Sequence, residues 1–407
     1  MRWVLALALA TVLALAAADV APAADPLPKG ISMGGPQPLR ADASPNDYRS
    51  WGNRDYIRNS HTGWVKLWVS WYDLQQAYVP SSRDDSWNQL TSSPNSAPYL
   101  RRLDEQLRAA NLDGVHTIVT IYQAFPTWAT GATGPDPLSG KGPETKLPAD
   151  LSPDGPWAWF VGYLSARYNG DFNVTGPHPP AGRETTATYF GNPSRAKVDA
   201  IEIVNEPNYL DWPQDNVVGA TAAMMRTAAA VSSEWGRQTL LAPATSDYPD
   251  PGVAQAGVAM DWRSFTSQLL DALTGWQPQV PVYWSQHNYN DVATEATAQT
   301  SRAKQTIDLL YANNWKGIGG DRQLWLTEGG VDLGRSWRDP AAQAAAAAKI
   351  QKDFDAMRTL PEVALWTQHG ISDIPGNDFK SGLRDDFDWT VPGPGAVRPA
   401  WSTWLGL

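Results

Sequence analysis

Two glutamates follow apolar, strand-like runs and could together cleave an acetal. Glu206 stands in the motif Asn-Glu-Pro, and Glu328 stands in the motif Thr-Glu-Gly. Acetal cleavage needs one carboxylic acid that protonates the departing oxygen and one carboxylate that attacks or stabilises the sugar cation. The pair therefore suggests glycoside hydrolysis, provided that the fold brings the two side chains together.

Eight apolar, β-branched runs provide candidate strands that could position these glutamates. They cover residues 29–33, 64–69, 115–122, 198–204, 238–241, 280–284, 324–327 and 363–366. Strand and helix in turn, eight times, is typical of a (β/α)8 barrel, whereas an open doubly wound sheet gives the alternation over fewer units. We therefore predict an α/β fold consisting of a single (β/α)8 TIM barrel, with long loops at its C-terminal face.

Segments with helical periodicity separate these runs. They cover residues 99–111, 157–168, 220–235, 262–276, 296–312 and 340–357, and a short closing helix is predicted at 400–405. Two long polar insertions, 127–156 and 169–195, are rich in Gly, Pro, Ser and Asp. Each is bounded by elements of the same alternation, so we interpret them as barrel loops rather than as linkers between domains.

The strand numbering places both glutamates on the same face of the barrel. Glu206 ends the fourth strand and Glu328 ends the seventh, and the C-terminal strand ends of a barrel open together where catalysis takes place. A strand-end glutamate can also simply cap a loop or pair with an arginine. Glu202 lies four residues, or about 13 Å, deeper along the fourth strand, and we expect it to be a buried structural charge paired with Lys66.

The N-terminus has the layout of a secretory signal peptide. Arg2 precedes an apolar run from residue 3 to residue 18, and small residues follow at 21–24. About 16 apolar residues fall short of the roughly 20 that a membrane helix needs. We predict a signal peptide at 1–24, a catalytic domain at 25–407, and a secreted, extracellular protein with no membrane span after cleavage.

The net charge and the lack of a metal-binding motif exclude several other functions. The formal net charge of −10 disfavours nucleic acid as a partner, since a phosphate backbone requires a basic surface. The chain has no cysteine, and its five histidines are scattered without the spacing of a zinc site. His369 could line the pocket or make a loop contact. We expect no metal and no cofactor, and a monomer that binds a poly- or oligosaccharide.

Two stretches carry a resemblance to a known group of enzymes. The run Trp157-Ala-Trp-Phe-Val-Gly-Tyr-Leu-Ser-Ala-Arg-Tyr168 and the run Ile201-Glu-Ile-Val-Asn-Glu-Pro-Asn208 resemble the third helix and fourth strand of the clan of retaining (β/α)8 glycoside hydrolases. Within the clan, family 39 and the cellulase-like enzymes of family 5 are nearest. The joint occurrence of Asn-Glu-Pro on strand four and Thr-Glu-Gly on strand seven is the strongest part of this likeness.

The resemblance implies a role for individual residues. Glu206 matches the acid/base and Glu328 the nucleophile, while Asn205 matches the residue that binds the sugar 2-hydroxyl. His287 and Tyr289 match a sixth-strand pair whose tyrosine touches the nucleophile. On the eighth strand, Trp366 matches the tryptophan that floors a sugar subsite.

Other positions depart from the family 5 pattern, which has arginine on strand two and histidine on strand three. Lys66 and Tyr122, followed by Gln123, stand near these places, and we expect Lys66 and Tyr122 to contact substrate. Tryptophans at or just past strand ends can stack on sugar rings or pack in the core. They are Trp68, Trp71, Trp128, Trp212, Trp284 and Trp366, of which we predict that Trp128, Trp212 and Trp366 bind substrate.

The predicted reaction is double displacement with retention of configuration, and we expect β-linked sugars as substrates. Glu328 attacks the anomeric carbon while Glu206 protonates the leaving oxygen, and water then releases the sugar. A transglycosylase would use the same intermediate. A non-catalytic carbohydrate-binding protein on the same scaffold could dispense with either glutamate, and this chain retains both.

Overall fold

A computed structural model describes residues 26–34, 47–50, 52–170, 196–213, 215–236, 238–252, 257–316, 321–373, 378–385 and 395–407. The predicted signal peptide at 1–24 and most of the predicted loop at 169–195 lie outside these residues. No helix within them is both long and apolar enough to cross a lipid bilayer.

Eight parallel strands close into a barrel in which every strand pairs with its neighbours in sequence, and β1 pairs with β8. The strands are β1 Lys29–Ser32, β2 Trp64–Val69, β3 His116–Ile121, β4 Ala200–Glu202, β5 Thr239–Leu241, β6 Val282–His287, β7 Leu324–Gly329 and β8 Val363–His369. The predicted (β/α)8 barrel is confirmed. The order of the strands places the C-terminal ends of β4 and β7 on one face.

Helices surround the barrel, and short ones occupy its C-terminal loops. They are α1 Asn53–Asn59, α2 Trp71–Gln75, α3 Arg83–Ser92, α4 Ser96–Leu112, α5 Thr127–Thr130, α6 Pro156–Arg167, α7 Pro207–Leu210, α8 Val217–Trp235, α9 Trp262–Ala272, α10 Tyr289–Thr294, α11 Arg302–Ala312, α12 Pro340–Met357 and α13 Pro399–Gly406. α12 begins as its sequence predicts, because the Asp339 side chain accepts a hydrogen bond from the Ala341 amide and proline occupies the first turn.

The strands are apolar because both of their faces are covered. Side chains that point outward join one large cluster with the helices, whereas Ile118, Ala200, Leu241, Trp325 and Leu365 fill the interior near the N-terminal end. Because side chains alternate along a strand, the positions two residues further on also point inward. On β3 and β4 these positions are Thr120 and Glu202, so the interior becomes polar towards the C-terminal face.

Several predicted strands ended too early at the face where the glutamates lie. β6 continues to His287, β7 to Gly329 and β8 to His369. The predicted helix at 296–312 is confined to α11, and α10 precedes it. Polar residues ended the apolar runs in the sequence, but strand pairing continues through them because the barrel interior is polar at this level.

Candidate active site

A β-bulge places Glu328 beside the end of β6. Gln286 pairs with Leu326, yet the next residue, His287, pairs with Glu328 rather than with Thr327. This shift moves Glu328 onto the interior face that alternation from Trp325 would otherwise deny it. Gly329, the next residue, permits close packing of β7 against Asn288, because a Cβ atom there would collide with the Asn288 side chain.

Four neighbouring side chains fix the Glu328 carboxylate. One oxygen, Oε1, lies 3.1 Å from Lys66 Nζ and accepts a 3.3 Å hydrogen bond from the Ser32 hydroxyl. The other oxygen, Oε2, accepts a 2.8 Å hydrogen bond from the Tyr289 hydroxyl and lies 3.7 Å from His287 Nδ1. The predicted contact between Tyr289 and Glu328 is therefore present, and the carboxylate is held in one orientation.

These partners keep Glu328 ionised. Burial is the largest single influence and would raise the pKa of Glu328, but the Lys66 ammonium, His287, His369 and the hydrogen bond from Tyr289 together outweigh it. The pKa of Glu328 is thus held well below its usual range. Conversely, burial and the charge of Glu328 raise the pKa of Tyr289 well above its usual value, so the tyrosine stays a hydrogen-bond donor.

The backbone at Glu206 is strained. Its φ of 44° and ψ of 51° are left-handed, which is unusual for a residue with a side chain and costs about 1–3 kcal/mol. The backbone amide of Asn205 donates to the Ile121 carbonyl and that of Glu206 donates to the Ala244 carbonyl, so the end of β3 and the segment after β5 hold this turn in place. The strained turn follows β4 and begins α7 at the C-terminal face of the barrel.

His287 brings the two carboxylates together. Its Nδ1 lies 2.7 Å from Glu206 Oε1 and 3.7 Å from Glu328 Oε2. Because both distances start from one nitrogen, the two carboxylate oxygens are at most about 6.4 Å apart. Retaining glycosidases place their carboxyl groups about 5–5.5 Å apart and inverting ones about 6.5–9.5 Å. This upper limit is compatible with the retaining arrangement. Burial lowers the pKa of His287, but Glu328 and Glu206 outweigh it and raise the pKa.

Lys66 lies beneath the carboxylates and is not among the residues that line the cavity. Its side chain is fully buried, and Nζ lies 2.7 Å from Glu202 Oε2, which also accepts a 2.7 Å hydrogen bond from the Thr120 hydroxyl. The expected pairing of Glu202 with Lys66 is confirmed. The prediction that Lys66 binds substrate is wrong, because the side chain is fully buried and its ammonium group lies beside Glu328.

A cavity of about 570 Å³ opens above the two glutamates, a size that suits a small ligand or a few sugar rings. Of the predicted site residues, Asn205, Glu206, Tyr289, Glu328 and Tyr122 line it, and His369 does so too. The other lining residues are Trp68, Tyr209, Ser246, Asp247, Tyr248, Asn290, Ala293, Gly330, Val331, Asp332 and Phe379. His287 is fully buried behind this wall and touches the glutamates, so the prediction that it contacts substrate is wrong.

Asn205 offers the cavity an acceptor. Its Oδ1 is buried and has no hydrogen-bond partner among the described residues. A buried carbonyl oxygen without a partner is costly. A ligand hydroxyl in the cavity would satisfy this atom, in keeping with the expected role of Asn205 beside the scissile bond.

The predicted role of Trp366 as the floor of a sugar subsite is wrong. Trp366 is fully buried on the outer face of β8, where its ring packs against Trp404 and its Nε1 donates a 2.7 Å hydrogen bond to Asp353. Alternation explains the error, because the preceding residue, Leu365, points into the barrel. His369, three residues further along, is the eighth-strand side chain that reaches the cavity.

Two other predicted tryptophans lie away from the cavity walls. Trp128 is half-buried against Trp71 and donates to the Gln75 carbonyl. Trp212 is buried, donates to the Gly142 carbonyl, and has the Lys146 ammonium 5.0 Å from its ring. Both contribute to loop packing in this structure.

Sequence reasoning missed several residues of the site. Ser32 touches Glu328 from the end of β1, and Asp247, Tyr248 and Phe379 reach the cavity from loops. Asp247 is buried, and burial together with the nearby Asp291 raises its pKa to about 7. The position of Ser32 at the end of a strand could have revealed it, whereas no periodic signal marks residues of irregular loops.

No protein-family model matches the sequence, and none of the curated proteins matches it either. Solved structures do match. A family 39 glycoside hydrolase from the gut symbiont Bacteroides cellulosilyticus WH2 has 14% identity over 94% of this chain, with a TM-score of 0.53. This chain spans 63% of the length of that protein.

Two further structures resemble the chain over nearly their whole length. Fpglu1 from Fervidobacterium pennivoraus has 12% identity and a TM-score of 0.53, and the match covers 93% of this chain and 94% of that one. Endoglucanase Cel5A from Pseudomonas stutzeri, in complex with cellobiose, has 14% identity and a TM-score of 0.50, covering 93% and 91%. The chain therefore has the barrel fold of family 39 and Cel5A-type glycoside hydrolases, as its motifs predict.

Proposed function

We propose that the protein is a retaining glycoside hydrolase that cleaves β-linked poly- or oligosaccharides of neutral sugars. The observation that carries the proposal is the approach of Glu206 and Glu328 to one nitrogen of His287, at the floor of an open cavity. The fold adds support, because C-terminal barrel faces hold the active sites of this class of enzyme.

The two carboxyl groups can divide the chemistry between them. In the first step, Glu328 forms a bond to the anomeric carbon as the bond to the leaving oxygen breaks, and Glu206 gives its proton to that oxygen. In the second step, Glu206 takes a proton from water, whose oxygen displaces Glu328 from the sugar. The ionised state of Glu328 supports its role as nucleophile.

The charge of the cavity favours neutral sugars. Glu206, Asp247, Glu328 and Asp332 all line it, and no lysine or arginine does so among the described residues. An anionic sugar would find no basic side chain on this wall to pair with, and the Glu328 and Asp332 carboxylates would repel it, which disfavours binding. We therefore expect aryl glycosides of neutral sugars to be hydrolysed and the matching glucuronide to be rejected.

The decisive experiment is the stereochemistry of the product. Purified protein is mixed with a panel of 4-nitrophenyl glycosides of both anomeric forms, and the first-formed sugar of the best substrate is followed by NMR. The proposal expects a β-glycoside to yield the β-anomer first. First formation of the α-anomer from a β-glycoside would contradict it, as would binding of oligosaccharides without turnover of any substrate.

Hydrolysis and transglycosylation separate in the same experiment. The glycosyl-enzyme can be intercepted by a sugar instead of by water, so products longer than the substrate would indicate a transglycosylase. We propose hydrolysis as the main outcome, with free sugar exceeding transfer products at low substrate concentration.

Export is the remaining part of the proposal. The N-terminal segment at 1–24 has the composition of a signal peptide. Expression of the full chain in a secreting bacterial host, followed by N-terminal sequencing, should find the protein outside the cytoplasm and beginning near residue 25. Retention of Met1 in a cytoplasmic product would contradict it.

A further inference from the structure

An aromatic pair lies beside Glu206 and has no part in the catalytic contacts described above. Tyr209 and Tyr248 both line the cavity, with ring centroids 6.2 Å apart and ring planes at 63°. Tyr209 belongs to α7, which follows Glu206 directly, and Tyr248 lies in the loop after β5. Tyr248 is 41% exposed, so a large aromatic surface faces the open side of the cavity.

The backbone holds this pair in a fixed arrangement. Buried Asn208 joins the two loops, since its Nδ2 donates to the Ser246 and Tyr248 carbonyls at 3.2 and 3.3 Å. Its Oδ1 accepts a 2.9 Å hydrogen bond from the Ser246 amide. On the other side, the Lys141 ammonium donates to the Tyr209 carbonyl at 2.7 Å. Such pre-organisation lowers the entropic cost of binding.

The position of Glu206, the proposed general acid, determines which part of a substrate lies next to the two tyrosines. The general acid must lie within hydrogen-bonding reach of the leaving oxygen, so the leaving group occupies the side of the cavity next to Glu206. Tyr209 is three residues beyond Glu206, its backbone amide donates a 3.0 Å hydrogen bond to the Glu206 carbonyl, and both residues line the same cavity. The aromatic pair is therefore on the leaving-group side.

We propose that Tyr209 and Tyr248 form a leaving-group subsite that binds a pyranose unit, so that the enzyme acts on oligosaccharides rather than on glycosides of small alcohols. The inference rests on the proposed function and extends it to the class of leaving group. Aromatic faces stack on the apolar faces of pyranose rings. Asp247, which lies between Ser246 and Tyr248 and lines the same cavity, provides a polar atom for a sugar hydroxyl.

The test compares two substrates that share the transferred sugar but differ in the leaving group. One is the β-linked disaccharide of the sugar preferred in the aryl glycoside panel, and the other is the matching glycosyl fluoride, whose leaving group is too small to reach the tyrosines. The variants are Tyr248→Ala, Tyr209→Ala and Tyr248→Phe. Tyr311→Ala is the matched control, since Tyr311 is 50% exposed on α11 and does not line the cavity.

We expect the ratio of kcat/KM for the disaccharide to that for the fluoride to fall at least ~10-fold in Tyr248→Ala and Tyr209→Ala. The ratio should stay within about twofold of the parent in Tyr248→Phe and Tyr311→Ala, because the first keeps the ring and the second is remote. If Tyr209→Ala lowers Tm, Tyr248→Ala alone carries the test, since its side chain is exposed.

An unchanged ratio in Tyr248→Ala would overturn the subsite while leaving the proposed function intact. An equal fall for both substrates would also overturn it, because it would indicate damage to the catalytic groups. Failure of the parent protein to hydrolyse any glycoside or fluoride would instead overturn the proposed function, and the subsite with it.

Discussion

The two catalytic candidates are held in opposite ways. Glu328 lies within a strand, is 4% exposed, and has Ser32, Lys66, His287 and Tyr289 around its oxygens. Glu206 lies past the end of its strand on left-handed backbone, and its side chain is 17% exposed and lies 2.7 Å from His287 Nδ1. One carboxyl group is enclosed by donors, whereas the other faces the cavity.

This difference corresponds to the difference in chemical task. A nucleophile must stay ionised and point at one atom, which fixed donors and a buried cation achieve. An acid/base must exchange a proton first with the leaving group and then with water, which requires access to the cavity. The surroundings therefore support the proposed roles of Glu328 in attack and Glu206 in proton transfer, and the following substitutions test that proposal.

The largest effect is expected from Glu328→Ala. Loss of the nucleophile should lower kcat by roughly 10⁴-fold or more, whatever the leaving group. Azide, a small anion that fits the space left by the carboxylate, should restore turnover and give a glycosyl azide of inverted configuration. Near-parental activity without azide would remove Glu328 from the mechanism.

Glu206→Ala should lower kcat/KM by about 10²- to 10⁴-fold on substrates whose leaving group needs protonation. On a 2,4-dinitrophenyl glycoside the loss of the first step should be much smaller, because that leaving group departs without a proton. The measurement is the dependence of kcat/KM on leaving-group pKa across aryl glycosides. A similar loss for every leaving group would show that the two carboxyl groups are not specialised as proposed.

Lys66→Met should change the pH profile as well as the rate. Burial that raises the pKa of Glu328 would remain, while the cation that lowers it would be gone. Activity requires ionised Glu328, so the acid limb of kcat/KM should move to higher pH, by about one unit or more. The double variant Lys66→Met/Glu202→Gln is the control. It also removes the charge of Glu202, which the single variant leaves buried without its cation.

The double variant separates electrostatics from stability. Breaking a buried ion pair by removing one partner costs about 3–5 kcal/mol, so the single variant should unfold at lower denaturant concentration than the double one. The acid limb should be displaced in both. An acid limb that returns to its parental position in the double variant would contradict direct control of Glu328 by Lys66.

Tyr289→Phe should have the smallest effect of the four. It removes one hydrogen bond to Glu328 and leaves Lys66, Ser32 and His287 in place. A charge-assisted hydrogen bond contributes about 1.5–3 kcal/mol, so kcat/KM should fall by roughly 10- to 100-fold. The same substitution should not alter the dependence on leaving group, since the Tyr289 hydroxyl donates to Glu328, the proposed nucleophile.

The sequence predicted what depends on periodicity and motif. Eight apolar runs led to the barrel, and the strand numbers placed Glu206 and Glu328 on one face. The depth of Glu202 along β4 predicted its pairing with Lys66, because strand rise converts sequence separation into distance. These predictions succeeded where regular geometry carries the information.

The failures occurred where a role was carried over from the resemblance against the strand alternation, or where regular geometry stops. Trp366 was predicted to face a sugar, but the alternation from Leu365 turns it outward. Lys66 and His287 were predicted to bind substrate, but their polar side chains are fully buried and contact the glutamates. The bulge that aligns His287 with Glu328 and the loops that carry Tyr248 and Asp247 depend on tertiary packing, which no single local pattern encodes.

The most direct test of the account is to trap the covalent intermediate. The parent protein is incubated with the 2-deoxy-2-fluoro 2,4-dinitrophenyl glycoside of its preferred sugar, digested, and examined by mass spectrometry. The account predicts one sugar per chain, on the peptide that contains Glu328 and on that residue. Labelling of Glu206 instead, or turnover of the normal substrate with inversion and no labelled peptide, would contradict it.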